Sequence, residues 1–453
     1  MVYKLLWAFF AIYQLIATPQ KIIVGLSADY PPFEFKQGEE TVGFDIDLAK
    51  EIASQMNCTI EIKDMAFGAL FNALNTGEID MILSSVGASE ERSKNFDFSI
   101  PYFFDKLSIL HKSDIIINIE KLDHKSIACQ LGTSGMQAWL KTNAPNTKQV
   151  LMDAMTQMAE AVKAGHVDGA LMDTIQAKEF MKNSKDLTYT VVGATSSGIS
   201  VAMKKGSPLL EKVNLLIKQM QENGQLKTLE DKWLNDSKQS TKHTLQGDFI
   251  FISKGILTTV MYSFFSICLG GILGILLAIL RQMHYGTWII TAIISVLRGT
   301  PILLQLSFVY FALPMLTGIK LSVCTSGILT FGINSSAYVA EIIRSGLQSL
   351  PKGQFEVCQT LSIPKFYAWK DIILPQVLRN VFPSLVNEVV SLTKETALIS
   401  ILGEMDIMRR AQFLAAETYN YFEPMCLAGI IYYLLVKTIE FIGKQIEKRW
   451  HHA

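Results

Sequence analysis

Charged and apolar residues are interleaved through the first half of the chain and separate near residue 248, beyond which uncharged runs of membrane-spanning length begin. In the first half, short apolar runs alternate with helical spacing. Lys21–Leu26 reads as a buried strand, Ala49–Met56 as a helix face, Ile60–Ile62 as a strand, Phe67–Leu74 as a helix and Met81–Leu83 as a strand. A second cycle starts at Ser126–Cys129, passes through helices around Gly135–Trp139 and Met155–Ala164, and reaches a strand at Gly169–Met172. This alternation predicts parallel sheets with a ligand site at the carboxyl ends of their strands. Two cycles predict two α/β lobes facing each other across a cleft.

The second half obeys a different period. Gly255–Leu280 is a run of 26 uncharged residues, enough to cross ~30 Å of hydrocarbon with tilt. Further spans are expected over Trp288–Leu313, Leu321–Ala340 and Met425–Ile442. The segment 376–395 carries Arg379, Glu388, Lys394 and Glu395, so hydropathy alone would reject it, and a span there must bury its charges in a bundle or along a water-lined path. At the start of the chain, Lys4 followed by the apolar run Leu5–Ala17 has the form of an export signal, either cleaved or kept as an anchor. An exported first half puts residue 248 outside. Arg281, then Arg344, Lys352, Lys365 and Lys370, then Lys444, Lys448 and Arg449 fall inside, a positive-inside pattern that requires an odd number of spans.

Composition narrows the function classes. Lys plus Arg and Asp plus Glu are 41 each, so no net charge favours nucleic acid. The 6 cysteines show no CxxC spacing, which argues against a zinc site, and Cys58 and Cys129 are expected on different lobes and free. No nucleophile–base constellation and no Walker loop occur, so the chain reads as neither an enzyme nor its own ATPase.

Three stretches of the first half, taken in order, resemble the periplasmic binding proteins for polar amino acids: Ser27-Ala28-Asp29-Tyr30-Pro31-Pro32-Phe33-Glu34-Phe35, Gly43-Phe44-Asp45-Ile46-Asp47-Leu48, and Arg92 with Asp97-Phe98-Ser99 and Pro101-Tyr102. The resemblance implies a two-lobed α/β periplasmic-binding-protein-like domain of type II over residues 20–236. In that family an arginine, here Arg92, takes the ligand carboxylate through its planar fork, and an aspartate of the second lobe, here Asp173, takes the ammonium. Tyr30 and Phe67 match the aromatics that sandwich the ligand side chain; Ser84, Ser85 and Ser134 match contacts to its charged ends. Two departures leave specificity open: Ser27 stands where many relatives carry an acid, and Gly87 where they often carry Thr or Ser. Asp29, Glu34 or Asp105 could compensate for the first.

Beyond residue 248, Arg298-Gly299-Thr300-Pro301, Ala337-Tyr338-Val339-Ala340-Glu341, Glu356-Val357-Cys358-Gln359-Thr360-Leu361-Ser362 with Ile373-Leu374-Pro375, and Lys394-Glu395-Thr396-Ala397-Leu398 resemble the permeases of polar-amino-acid ABC importers. That resemblance implies an all-α five-helix ABC-importer transmembrane domain over 249–450, with 376–395 as its fourth helix. It also implies a homodimer in the inner membrane and a coupling loop in which Glu356, Leu361 and Ser362 meet a separate cytoplasmic ATPase dimer. Val357 and Cys358 replace the usual two alanines and Ser362 the usual glycine. The expected layout is thus a signal or anchor at 1–19, an amino-acid-binding domain at 20–236, a polar linker at 237–248 and the permease at 249–450. The function expected is capture of a polar amino acid outside and passage inward, without a cofactor. A ligand-gated channel of glutamate-receptor type is the alternative, since it shares the two-lobed receptor, but it would need a re-entrant filter and no coupling loop.

Overall fold

The computed structural model describes residues 21–115, 122–194, 198–235, 243–283 and 286–452; the expected signal or anchor at 1–19 and much of the expected linker lie outside them. The chain divides into two units, Met1–Thr244 with Gln412–Pro424, and Leu245–Ala411 with Met425–Ala453.

The first unit is built on two five-stranded sheets. One runs β5 (Thr59–Asp64), β1 (Lys21–Leu26), β6 (Met81–Ile82), β13 (Ala202–Lys204), β7 (Phe96–Phe98). Its first three strands are parallel, as the alternation predicts, while β13 joins antiparallel to both neighbours. The other runs β10 (Lys148–Met152), β9 (Ser126–Gln130), β11 (Gly169–Asp173), β8 (Lys106–Lys112), β12 (Leu187–Ala194), with β8 antiparallel to both β11 and β12. Both sheets are therefore mixed. The chain crosses from the first lobe to the second between β7 and β8 and returns between β12 and β13, and the return strand must enter its sheet reversed. The two crossings pair with each other where Phe103 bridges Ile199. A small antiparallel sheet of β2 (Asp29–Tyr30), β3 (Glu34–Gln37) and β4 (Glu40–Val42) leads into helix α1 (Phe44–Gln55). Helix α1 buries Phe44, Asp45, Ile46, Leu48, Ala49, Ile52 and Ala53. Asp45 is the exception in that set, since every other buried position is apolar.

Four further helices frame the cleft: α2 (Leu70–Thr76) after a 3-10 turn at Phe67–Ala69, the short α3 (Glu90–Ser93), α4 (Ser134–Asn143) and α5 (Met155–Ala164). Helix α6 (Thr174–Asn183) follows β11 directly. Cys58 and Cys129 are both free; they lie beside β5 and on β9, so the two sheets keep them apart.

The second unit is helical. Helix α7 (Leu245–Ser253) begins inside the segment expected to be polar linker. Leu245, Phe249 and Ile252 recur at four and three residues and give it an apolar stripe, which the linker reading overlooked. Helix α8 (Gly255–Gln282) continues it, and Leu245–Gln282 together is long and apolar enough to span a membrane. The run expected as one span, Trp288–Leu313, is instead α9 (Thr287–Gly299) and a second helical stretch from Ile302, bent by 104° at the break. Pro301 stands at that break, with no N–H to continue the ladder and with Thr300 before it held extended. Helices α10 (Val323–Gln348), α11 (Lys352–Thr360), α12 (Leu374–Glu395) and α13 (Phe422–His452) complete the frame, and among the described residues Phe422–Arg449 also meets the length and hydropathy of a span. Close packing of α8 on α10 depends on glycine: a Cβ at Gly274 would sit 2.7 Å from Val339 Cβ and 2.8 Å from Ser336 O.

Candidate functional site

The cleft of the first unit holds two joined cavities whose chemistry differs. The inner one, about 30 Å³, is lined by Ser27, Asp29, Tyr30, Glu34, Phe67, Ser84, Ser85, Gln130, Thr133, Met136, Met155 and Asp173. Among the described residues, its lining has three carboxylates and no lysine, arginine or histidine. The outer one, about 830 Å³, shares Phe67, Ser85, Thr133, Met136 and Asp173 with it and adds Arg92, Lys94, Ser89 and Ser134 among others. All seven residues expected from the sequence thus line one or both cavities. The outer cavity sets Arg92 and Lys94 beside Glu90 and Glu91, while the charged groups of the inner end are all acids.

Arg92 is positioned by the turn that precedes it. Ser89 caps α3 by accepting from the Arg92 amide. The guanidinium donates to Gly87 O at 2.8 Å and to Gly132 O at 2.5 Å, and it lies 4.5 Å over the Phe71 ring. It therefore ties the two lobes together through backbone carbonyls, since Gly132 belongs to the second lobe, and still has N–H groups to offer. Burial pulls its pKa down to about 10, which leaves it cationic near neutrality. Gly87, noted above as a departure, supplies one of these carbonyls, a contact that needs no side chain.

Asp173 ends β11 and precedes α6 but makes no side-chain cap there. Its carboxylate instead accepts from the Tyr30 hydroxyl across the lobes. Burial, reinforced by nearby Asp105, raises its pKa to about 7. Tyr30 is thereby both a ring on the cavity wall and the group that aims Asp173. Phe67 lies in the wall of both cavities. Ser134 sits with Ser89 at 3.0 Å between hydroxyls, and Ser85 holds a left-handed backbone, φ 48°, which turns its amide toward Asp45 at 2.9 Å.

Ser84 takes a role the sequence did not indicate. Its hydroxyl accepts from the Ser27 amide at 3.0 Å and donates to Glu34 Oε1 at 2.8 Å. Glu34 is 1% exposed and forms part of the inner cavity wall. Of the three acids that the sequence offered in place of Ser27, Glu34 and Asp29 line this cavity and Asp105 does not. Gln130, Thr133, Met136 and Met155 were missed because nothing in their local pattern separates a cavity wall from an ordinary core.

In the second unit, α11 carries Glu356 exposed, Val357 exposed and Cys358 buried. Leu361 and Ser362 follow, both exposed. Ser362 sits at φ 50° and its amide bonds Gln359 O, while Ile363 N bonds Cys358 O. The position still demands the left-handed backbone that the usual glycine takes without strain. Arg281 and Arg344 both pair with Glu341, at 2.5 and 2.7 Å, and Ser335 donates to Glu388 at 2.6 Å.

Comparison with known proteins assigns both halves. Residues 22–236 match the model of bacterial extracellular solute-binding proteins, family 3, and residues 270–452 match that of the binding-protein-dependent transport system inner membrane component. The second half is 52% identical over 202 residues to a putative glutamine transport system permease protein, GlnP, of Rickettsia typhi, covering 44% of this chain and 93% of that one. The chain belongs to the amino-acid ABC transporter family, with solute receptor and permease in one polypeptide. The receptor half is 33% identical over 224 residues to the arginine-binding extracellular protein ArtP of Bacillus subtilis, covering 48% of this chain and 88% of that one. A crystal structure of the substrate-binding protein of an amino-acid ABC transporter is 33% identical and covers 48% of this chain and 100% of that one, with a TM-score of 0.44. Nothing in these matches supports the glutamate-receptor channel.

Proposed function

We propose that the receptor half captures a polar amino acid on the outer side of the inner membrane and delivers it to the permease half, which imports it with energy from a separate ATPase. The carrying observation is the order of groups along the cleft: Arg92 at the outer cavity, Asp173 shared, and carboxylates at the inner end. A ligand with a carboxylate, an ammonium and a polar side chain fits that order, Arg92 taking the first and Asp173 the second. Tyr30 and Phe67 flank the side chain, while Ser85 and Ser134 contact the charged ends. The relatives' names point to glutamine on one half and arginine on the other, and both fit this description.

The boundaries follow the same reading: a signal or anchor before residue 20, the receptor to 236, a short polar connection, and the permease to about 450. Two copies enclose the path, as five spans of one chain do not. Residues 352–375 lie on the cytoplasmic side, where Glu356, Leu361 and Ser362 meet the ATPase. A thermal-shift screen of the detergent-solubilised chain against the twenty amino acids tests the capture step. A ligand at 100 times its Kd adds ~2.7 kcal/mol to stability, so a clear rise with one or two polar amino acids is expected. A flat response to all twenty refutes it.

A further inference from the structure

Behind Glu34, in the wall of the inner cavity, lies a second acid, Asp45, that the capture scheme above does not use. Glu34, from β3, and Asp45, from α1, are 1% and 0% exposed. Their partners are hydroxyls and one amide. Ser84 Oγ and Ser85 Oγ donate to the two oxygens of Glu34 at 2.8 and 3.4 Å. Ser85 N donates to Asp45 Oδ2 at 2.9 Å, and the Tyr102 hydroxyl lies 2.9 Å from both Asp45 oxygens. Both carboxyls thus meet at Ser85, whose amide serves Asp45 and whose hydroxyl serves Glu34. The remaining titratable groups that face them are Asp29 and Tyr30 from β2, with Asp173 beyond Tyr30. Among the described residues, no lysine, arginine or histidine bonds either carboxyl.

Two ionised carboxylates side by side in so dry a place would be a costly arrangement, because neither solvent nor a cation compensates their charge. A single proton held between them removes most of that cost. Burial and the mutual repulsion of Glu34 and Asp45 push the Glu34 carboxyl well above the ordinary range, and burial carries Asp45 to about 7. The pair therefore rests singly protonated near neutrality, and one face of it, Glu34, forms the cavity wall.

We propose that Glu34 and Asp45 form a proton-exchange subsite: an amino acid with a cationic side chain docks its charged end against Glu34 as the shared proton leaves to solvent. This rests on the capture reading above and adds the ligand class and its proton balance. The positive charge that enters replaces the positive charge that departs, so the pair carries two negative charges only when the ligand neutralises one. An uncharged side chain of the same shape brings no such charge and leaves the proton in place. Asp173 contributes a second linkage common to every amino acid, since the ligand ammonium favours its ionised form. The difference between a cationic ligand and its neutral isostere isolates the pair.

The test is calorimetric titration of the detergent-solubilised full chain at pH 6.5, in phosphate and in Bis-Tris, whose ionisation enthalpies differ widely. L-arginine, its neutral isostere L-citrulline and L-glutamine are the probes, and the buffer dependence of the heat counts protons released. Arginine is expected to release more protons than citrulline or glutamine, by a difference approaching one, and to bind more tightly as pH rises from 5.5 to 7.5. In Glu34→Gln, or independently in Asp45→Asn, the arginine–citrulline difference should fall toward zero. Equal proton release by arginine and citrulline in the native chain overturns the subsite, as does binding of glutamine or citrulline with no affinity for arginine. Failure of all twenty amino acids to bind instead removes the capture reading on which it rests.

Discussion

Arg92 and Ser362 show how much one residue can carry. Arg92 holds Gly87 and Gly132 by their carbonyls and stacks on Phe71, so its removal takes away both an inter-lobe tie and the expected partner of the ligand carboxylate. Arg92→Ala should weaken amino-acid binding by a few kcal/mol, because a buried carboxylate is left unpaired. Asp173→Asn should cost less and preserve the fold. Calorimetry checks both, and unchanged affinity in either removes that residue from the site. Ser362 pays a left-handed backbone at φ 50°, worth ~1–2 kcal/mol of strain for a residue with a Cβ. Ser362→Gly relieves it against the greater chain entropy of glycine, for a net gain of up to about 1 kcal/mol. Hydrogen exchange at amides 358–363 should slow about fivefold; unchanged protection would mean that the turn is strain-free.

Among the elements, α11 and the buried helix α1 carry the sharpest expectations. In α11, Glu356 and Val357 face outward while Cys358 is buried, so the helix is anchored on one side and presented on the other. Glu356→Lys should leave receptor affinity unchanged and depress both transport and ligand-stimulated ATP hydrolysis, by setting a cation against the basic partner expected in the ATPase. Full transport by that variant in reconstituted vesicles would sink the coupling assignment. Helix α1 buries Asp45 with its pKa raised by burial to about 7. A carboxyl raised above its unfolded value stabilises the fold fully below that unfolded value, near 4. The contribution is lost as pH rises through about 7. The ligand-free chain should therefore melt lower at pH 8 than at pH 5, with Asp173 acting in the same direction. Asp45→Asn should flatten the dependence, and an unchanged slope would show that Asp45 stays ionised throughout.

For the whole molecule, the joining of receptor and permease in one chain fixes their ratio at one to one, so a dimeric permease brings two receptors to one path. Native mass spectrometry in mild detergent should find two copies of the chain. A strictly monomeric chain, with its ATPase present, would be incompatible with that assembly. The fusion also keeps each receptor near its own permease.

Hydrophobic period marked the change of character near residue 248 and the two α/β cycles, and the resemblance to amino-acid-binding proteins singled out Tyr30, Phe67, Arg92 and Asp173. These are local or periodic signals, because a strand that is buried on both faces and a run of 26 uncharged residues each leave a mark within one window. Sequence also carried the need for a turn at Ser362, through the place of a missing glycine. Only the tertiary structure decided that β13 returns antiparallel and mixes the first sheet, since the return crossing is set by the lobes and not by the strand. It alone broke the expected span Trp288–Leu313 at Pro301 into helices bent by 104°. It also turned Glu34 toward the cavity and laid Asp45 against it from another element. Hydrophobic pattern records whether a side chain is buried, but a buried acid has no periodic signature. What it faces is fixed by groups distant in sequence.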